Sequence, residues 1–425
     1  MRLIPAYHRL MGEGINSRLD VATLRSIPLG IWTLGFVSLL MDISSEMIHA
    51  LLPVYLVTVL GTSTLTVGII EGIAEATASI TKVFSGALSD WLGKRKLLAA
   101  IGYGLAAFTK PIFPLAAGVG WLIAARFIDR IGKGIRGAPR DALIADISPM
   151  AIRGASFGLR QSLDTVGAFI GPLLAIVFMW LLANNIRGVF WFAVVPAFLA
   201  MFLMIYGVAD PDRQTKPREA RFPLHVNELK RLGLLYWNVV AVAVVFTLAR
   251  FSEAFLILRA QNVGLDMALV PAVLVLMNVF YAIAAYPAGV LSDNGDRTKL
   301  LTIGLLLLVA ADLILALTSG LMGVAIGVAL WGLHMGFSQG LLSALVADAA
   351  PAELRGTAYG MLNLLTGVAF LAASVIAGIL WDATGPQATF LAGAGFAALA
   401  LVWLLLSRGR LAMYRTPRRR FPNFR

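Results

Sequence analysis

Two separate segments of this chain occur twice, at almost the same offset. Gly86, Leu88, Ser89 and Asp90, followed by Lys94-Arg95-Lys96, return as Gly289, Leu291, Ser292 and Asp293, followed by Arg297 and Lys299. The offset from Gly86 to Gly289 is 203 residues. Asp141-Ala-Leu-Ile-Ala-Asp146, with Pro149 and Arg153-Gly154, returns as Ser343-Ala-Leu-Val-Ala-Asp348, with Pro351 and Arg355-Gly356, at an offset of 202. Two matches at one spacing require a duplicated unit, so the fold must consist of two similar halves.

The solvent of those halves follows from composition. Of 425 residues, 59% are hydrophobic and 14% charged, against about 25% charged in a soluble domain. A water-soluble core cannot hide that much apolar surface, and lipid is the expected solvent. Spanning a bilayer takes about 20 apolar residues. Twelve such runs are read near 31–59, 65–89, 97–116, 119–146, 156–183, 188–209, 237–262, 269–293, 299–318, 321–348, 357–382 and 387–407. The expected division is a leading segment (1–26), a six-helix bundle (27–211), a basic linker with Pro217 and Pro223 (212–236), a second bundle (237–408) and a basic tail (409–425). The fold class expected is all-α and polytopic.

The net charge of +12 is distributed by side rather than gathered into a nucleic-acid patch. Lys and Arg fall in Arg2–Arg25, Lys94–Lys96, Arg153, Arg213–Arg231, Arg297–Lys299, Arg355 and Arg408–Arg425. The alternate connections near 61–66, 116–120, 262–268, 318–321 and 383–387 carry neither, with Arg187 the exception among these loops. The positive-inside rule then puts both termini in the cytoplasm, and the expected location is a bacterial inner (plasma) membrane. The basic tail should meet anionic lipid headgroups. No cysteine occurs, and His8, His49, His225 and His334 show no ligand spacing, so neither a disulfide scaffold nor a metal site is expected.

Gly86-x-Leu88-x-Asp90-x-x-Gly93-Lys94-Arg95-Lys96 resembles the loop motif between helices 2 and 3 of the major facilitator superfamily, with a degraded copy in the second half. Arg126-Phe-Ile-Asp129-Arg130-Ile-Gly132 is similar to the family's helix-4 motif, departing at Asp129-Arg130 where Gln-Gly is usual. Gly167-x-x-x-Gly171-Pro172 resembles the helix-5 motif of the proton-antiporting branch, with Ala175 where a glycine is common. The resemblance covers nearly the whole chain. It implies two six-helix bundles related by a pseudo-twofold axis. It also implies a charge cluster of Asp90, Lys94 and Asp146 that latches the halves in one state, and a hinge or close packing at Gly167, Gly171 and Pro172. Arg95 and Lys96 are read as topology-setting charges.

Charges inside the apolar runs are costly in lipid and default to a functional reading. Helix 1 has Asp42, Glu46 and His49, and helix 2 has Glu71, Glu75 and Lys82. Helix 4 has Arg126, Asp129, Arg130, Lys133 and Arg140, helix 5 has Arg160 and Asp164, and helix 7 has Arg250 and Glu253. The duplicate supplies an internal control. Arg126, Asp129, Arg130 and Lys133 correspond to Val328, Trp331, Gly332 and Met335, and Glu71 and Glu75 to Leu274 and Asn278. The fold unit therefore exists without these charges. Only Ser45-Glu46 keeps a counterpart, Ser252-Glu253.

These residues point to a secondary active transporter exchanging protons for a small organic solute, by alternating access and in the export direction. Glu46, Asp42, Glu71 and Glu75 are the proton-coupling candidates. Arg126, Asp129, Arg130, Arg160, Asp164 and Glu253 are the substrate-binding candidates. The chain has no Gly-x-x-x-x-Gly-Lys-Ser/Thr loop, so no cofactor is expected and a proton gradient is the energy source. Two substrate classes compete: a cationic or lipophilic drug, which would need the acids free in the cavity, and an anion held by Arg126, Arg130 and Arg160. Helix 4 has more bases than acids, which calls for acids from elsewhere or an anionic ligand and tilts the substrate toward the anion. The alternatives are a non-transporting receptor or scaffold, and an uptake symporter of an anionic metabolite or chelator. No nucleophile, base and orienting group form a set, so an enzyme is not expected. One chain supplies both halves, and a monomer in contact with lipid is expected.

Overall fold

The computed structural model describes residues 26–92, 94–209, 226–294, 297–351 and 354–412, and among these it contains helices and no strands. Most of the expected leading segment, linker and tail lie outside the described residues, as do Gly93 and the side chain of Asp90. Twelve long helical segments follow in order. They are α1 (Leu29–Val59), α2 (Thr64–Leu92), α3 (Arg95–Leu115), α4 (Val119–Ile147), α5 (Arg153–Leu181), α6 (Ile186–Gly207), α7 (Gly233–Asn262), α8 (Ala272–Asn294), α9 (Arg297–Leu317), α10 (Leu321–Ala349), α11 (Arg355–Thr384) and α12 (Pro386–Ala412). Ten of the twelve are long and apolar enough to cross a membrane by composition. The exceptions, α2 and α4, have 29 residues each, or about 43 Å of helix. That length exceeds a bilayer core, but both helices are interrupted by the charges read from the sequence. Both pack inside the assembly, where those charges find protein partners.

The packing repeats under a shift of six helices. In the first half α1 packs on α5 and α6, α4 on α2 and α3, and α3 on α6. In the second half α7 packs on α11 and α12, α10 on α8 and α9, and α9 on α12. The contacts between halves obey the same rule: α2 meets α11, and its image, α8 against α5, is also formed. This exchange is what a pseudo-twofold axis through the center requires. The outer faces are apolar, with Trp121, Phe108, Trp180 and Leu406 exposed where lipid would lie.

Among the described residues three helices are broken. Pro53 and Pro111 lack the N–H that would continue α1 and α3. In α1 the chain turns at Ala50-Leu51 and then winds more widely over Tyr55–Val59. In α7 the helix stops at Ala249 and restarts at Ala254. There the Ser252 N–H donates to Ser374 Oγ of α11 at 3.3 Å, and the Ser252 hydroxyl accepts from the Ala254 N–H at 3.2 Å. A broken spanning helix is tolerated where other protein groups satisfy the freed backbone.

Close approach uses glycine. A Cβ on Gly167 of α5 would sit 2.6 Å from the Leu39 carbonyl oxygen of α1. One on Gly171 would sit 2.9 Å from the Ile43 oxygen and 2.8 Å from Glu46 Cβ. The helix-5 glycines thus seat α5 directly on the helix that carries Glu46.

The two ends of the assembly differ. At one end α3, α5, α9 and α11 each begin with an arginine: Arg95, Arg153, Arg297 and Arg355. At the opposite end the halves touch. Asp382, at the end of α11, caps the start of α2: its carboxylate accepts from the Thr64 N–H at 3.0 Å, the Leu65 N–H at 2.9 Å and the Thr64 hydroxyl. Below that contact Gly378 lies against Leu65 and Gly72 against Leu371. The segment Leu52–Val54 of α1 meets Ala254–Asn262 of α7.

Candidate functional site

Beneath the sealed end, between the halves, lies a cavity of about 510 Å³. The first half contributes Glu46 and His49 from α1, Glu71 and Glu75 from α2, and Arg126, Arg130 and Lys133 from α4. Each set is spaced by three or four residues, which puts it on one helix face. The second half contributes Arg250, Phe251, Ser252 and Glu253 from the break in α7, with Phe246, Trp331, Asn363 and Phe370 around them. The α7 break matters here because non-helical backbone turns both Arg250 and Glu253 toward the cavity.

Most of the first-half charges form two connected groups. Arg126 Nη2 lies 2.8 Å from Glu71 Oε2, and both side chains are buried. His49 stands between two acids, with Nδ1 3.4 Å from Glu46 Oε2 and Nε2 3.6 Å from Glu71 Oε2. Arg130 reaches Glu75 at 3.7 Å and Asp129 at 4.0 Å. Behind this layer Lys110, 1% exposed, binds Asp129 at 2.8 Å and the Ser45 hydroxyl at 3.1 Å. Lys110 was not among the residues singled out from the sequence. It follows an apolar stretch and precedes Pro111, so an intramembrane lysine at a helix break was the available signal.

The structure gives the positive surplus of α4 its partners. Glu71 and Glu75 of α2 face Arg126 and Arg130. Of the α4 bases in the cavity only Lys133 is left without an ion pair among the described residues, so the tilt toward a purely anionic substrate is weakened. The cavity lining is balanced, with four carboxylates (Glu46, Glu71, Glu75, Glu253) and four basic side chains (Arg126, Arg130, Lys133, Arg250).

Other candidates lie elsewhere. Asp42, Arg160 and Asp164 belong to a second cluster toward the arginine-bearing end, apart from the cavity lining. Arg160 Nη1 is 3.5 Å from Asp164 Oδ2 and its Nη2 3.9 Å from Asp141. Arg140 bridges Asp141 at 3.2 Å and Asp164 at 3.9 Å, and Asp42 lies beside Asp164. Asp42 and Glu46 share a helix face, but the turn between them separates the two clusters.

At the arginine-bearing end Asp146 is held by Arg95. Nη1 lies 2.6 Å from Oδ2 and also donates to the Ala142 carbonyl at 3.0 Å. The partner expected was Lys94, which is exposed. Arg95, read as a topology-setting charge, is the residue that ties α3 to α4. The position of the Asp90 side chain in this cluster lies outside the described residues. Gly86 packs near Ala138 Cβ of α4, and Pro172 lies one residue after Gly171 on the buried face of α5.

Comparison with known proteins follows the same lines. The model of the Major Facilitator Superfamily matches residues 34–259 and 239–423. An uncharacterized MFS-type transporter of Methanocaldococcus jannaschii is 34% identical over 391 residues, 90% of this chain and 95% of that protein. The quinolone resistance protein NorA of Staphylococcus aureus is 28% identical over 218 residues, about half of each chain (51% and 54%). A crystal structure of the peptide transporter POT superposes with a TM-score of 0.74 at 17% identity, over 91% of this chain and 96% of that one, a likeness of fold alone. With a duplicated twelve-helix architecture, a charged cavity between its halves and these relatives, the chain belongs to the Major Facilitator Superfamily, whose members are multi-pass membrane transporters and not enzymes.

Proposed function

We propose that the chain is a proton-coupled secondary active transporter that exports a small organic solute by alternating access. The observation that carries this reading is the His49 bridge between Glu46 and Glu71 in the wall of the central cavity. Three titratable groups in contact can receive a proton and pass it on, and Glu253 of the other half borders the same space. Protonation alters these pairs: on Glu46 or Glu71 it removes the charge of the acid and weakens its ion pairs, and on His49 it strengthens the contacts to both acids. It thereby changes the relative stability of the arrangements in which the halves are open to one side or the other. No nucleotide is needed: one charge crossing the field contributes about 2.3 kcal/mol per 100 mV.

Sidedness follows from charge. The positive-inside rule assigns the end bearing Arg95, Arg153, Arg297 and Arg355 to the cytoplasm, with both termini. The end sealed by Asp382 and Thr64 then faces outward, and the cavity is reached from the cytoplasm. A bacterial inner membrane is the proposed location, and a single chain holding both walls of the cavity acts as the unit. Similarity over half the chain to a quinolone resistance protein is in keeping with removal of a solute from the cell.

The test is reconstitution. In proteoliposomes with an imposed pH gradient, a candidate solute should accumulate against its own gradient. Collapsing the pH gradient with a protonophore should abolish accumulation and leave downhill exchange. Accumulation that survives the protonophore would reject proton coupling. A chain that moves no solute of any charge class would favour the receptor reading.

A further inference from the structure

The charges of the cavity fall into two sets. Glu46, His49, Glu71, Arg126, Glu75 and Arg130 each have an ion-pair partner within the set, although Glu71 Oε1, Arg126 Nε and Arg130 Nε are buried without a hydrogen bond. Lys133, Arg250 and Glu253 have no ion pair or side-chain hydrogen bond among the described residues. Lys133 is exposed into the cavity. The Arg250 guanidinium lies 5.7 Å over the Phe246 ring, and its Nε is buried without an acceptor. Charged groups removed from bulk water need a compensating partner. No residue of the wall is within ion-pair distance of them; Glu253 and Glu75 act on Arg250, and Glu75 on Lys133, only at longer range.

The placement of this second set defines what would satisfy it. Lys133 belongs to α4 of the first half, and Arg250 and Glu253 to the α7 break of the second. An occupant held among them touches both halves at once. Only a ligand with such differential contacts can bias the halves between two arrangements. Two cations can share one carboxylate or phosphate. Glu253, three residues from Arg250, would repel a purely anionic occupant and attract an amine beside the acid. The wall as a whole, with four carboxylates and four basic side chains, gives neither a pure anion nor a pure cation an advantage. Phe370 supplies aromatic surface, and Phe246 and Trp331, each 1% exposed, border the cavity.

We propose that this cavity binds an amphipathic zwitterion, its anionic group between Lys133 and Arg250, its amine at Glu253, and its apolar body against Phe370. This deepens the transport reading and rests on it only for the claim that the bound solute is moved.

The experiment uses the full chain in detergent and three matched probes: tryptophan, its methyl ester and indole-3-propionate. At mildly acid pH these are a zwitterion, a cation and an anion with the same ring. Competition or calorimetric binding should show tryptophan bound at least about tenfold tighter than either analogue, the effect of one charge-assisted hydrogen bond. Lys133→Gln and Arg250→Gln should erase the advantage over the ester while leaving ester binding unchanged. Glu253→Gln should erase the advantage over indole-3-propionate. A general loss of structure would lower all three affinities together, so the ratios separate recognition from folding. Equal affinities in the wild type, no saturable binding of any probe, or unchanged ratios in the variants would overturn the proposal. Vesicle flux of the same probes distinguishes the two claims. Zwitterion binding without flux would reject transport and keep this site. Flux of the ester or the acid alone would keep transport and reject this site.

Discussion

The Asp382 cap is the tie between halves whose removal has the clearest consequence. One carboxylate accepts from two backbone N–H groups and the hydroxyl at the start of α2. These donors have no intrahelical acceptor of their own, and the helix N-terminus favours a negative charge. When α2 and α11 part, water replaces the carboxylate. The net contribution to the sealed arrangement is that of a good N-cap, about 1–2 kcal/mol. Asp382→Ala should therefore raise the population with the halves separated at this end by roughly 5- to 30-fold. Asp382→Asn retains one acceptor oxygen and should fall between. The chain has no cysteine, so the readout is clean. Ser374 is fully buried with its backbone against Gly68 at the α2–α11 contact, and Ser374→Cys is nearly isosteric and keeps a weak acceptor for the Ser252 N–H. Its rate of alkylation reports separation directly. A rise of that size in the Asp382→Ala background, with unchanged thermal stability of each half, is expected. An unaltered alkylation rate would refute the argument that this cap holds the halves together.

Three further outcomes follow from the packing. Lys110→Met leaves Asp129 buried without its closest cation and should destabilise the first bundle by about 3–5 kcal/mol. Adding Asp129→Leu should restore most of it, as read by thermal unfolding in detergent. Gly171→Leu must displace Ile43 and Glu46, so proton-driven transport should fall far more than protein yield, whereas the same change at Gly104, which has only a Met201 sulfur at 3.8 Å, should be mild. Arg95→Gln should loosen α3 from α4 at the arginine-bearing end and lower transport, and Lys94→Gln should do less, because Asp146 contacts Arg95 at 2.6 Å; comparable flux in the two variants would reject that ranking.

Much of the architecture was legible because it is written locally. Twelve apolar runs and a repeat spaced from Gly86 to Gly289 need no knowledge of contacts. The charges on α1, α2 and α4 were visible too, since each is isolated in an apolar run. What they pair with was not. Asp382 and Thr64 are 318 positions apart, and no periodicity links them. The surplus on α4 could be counted, but its resolution by Glu71 and Glu75 depends on α2 facing α4. Asp42 and Glu46 show the limit of face arguments. Helical periodicity aligns them, yet one turn of rise separates the Asp164 cluster from the cavity. Lys110 was hidden in another way, since a single lysine before a proline resembles the end of a span when the return of the chain into the bundle is unknown.

The central claim is that protons and solute share the cavity through Glu46, His49 and Glu71. The direct measurement is the proton movement that accompanies solute flux in proteoliposomes, followed with an enclosed pH-sensitive dye in the wild type and in Glu46→Gln. The amide mimics the protonated acid without changing its size. The account predicts solute-dependent proton movement in the wild type. In Glu46→Gln that movement should be absent while downhill solute exchange persists. Undiminished proton movement in Glu46→Gln would contradict it.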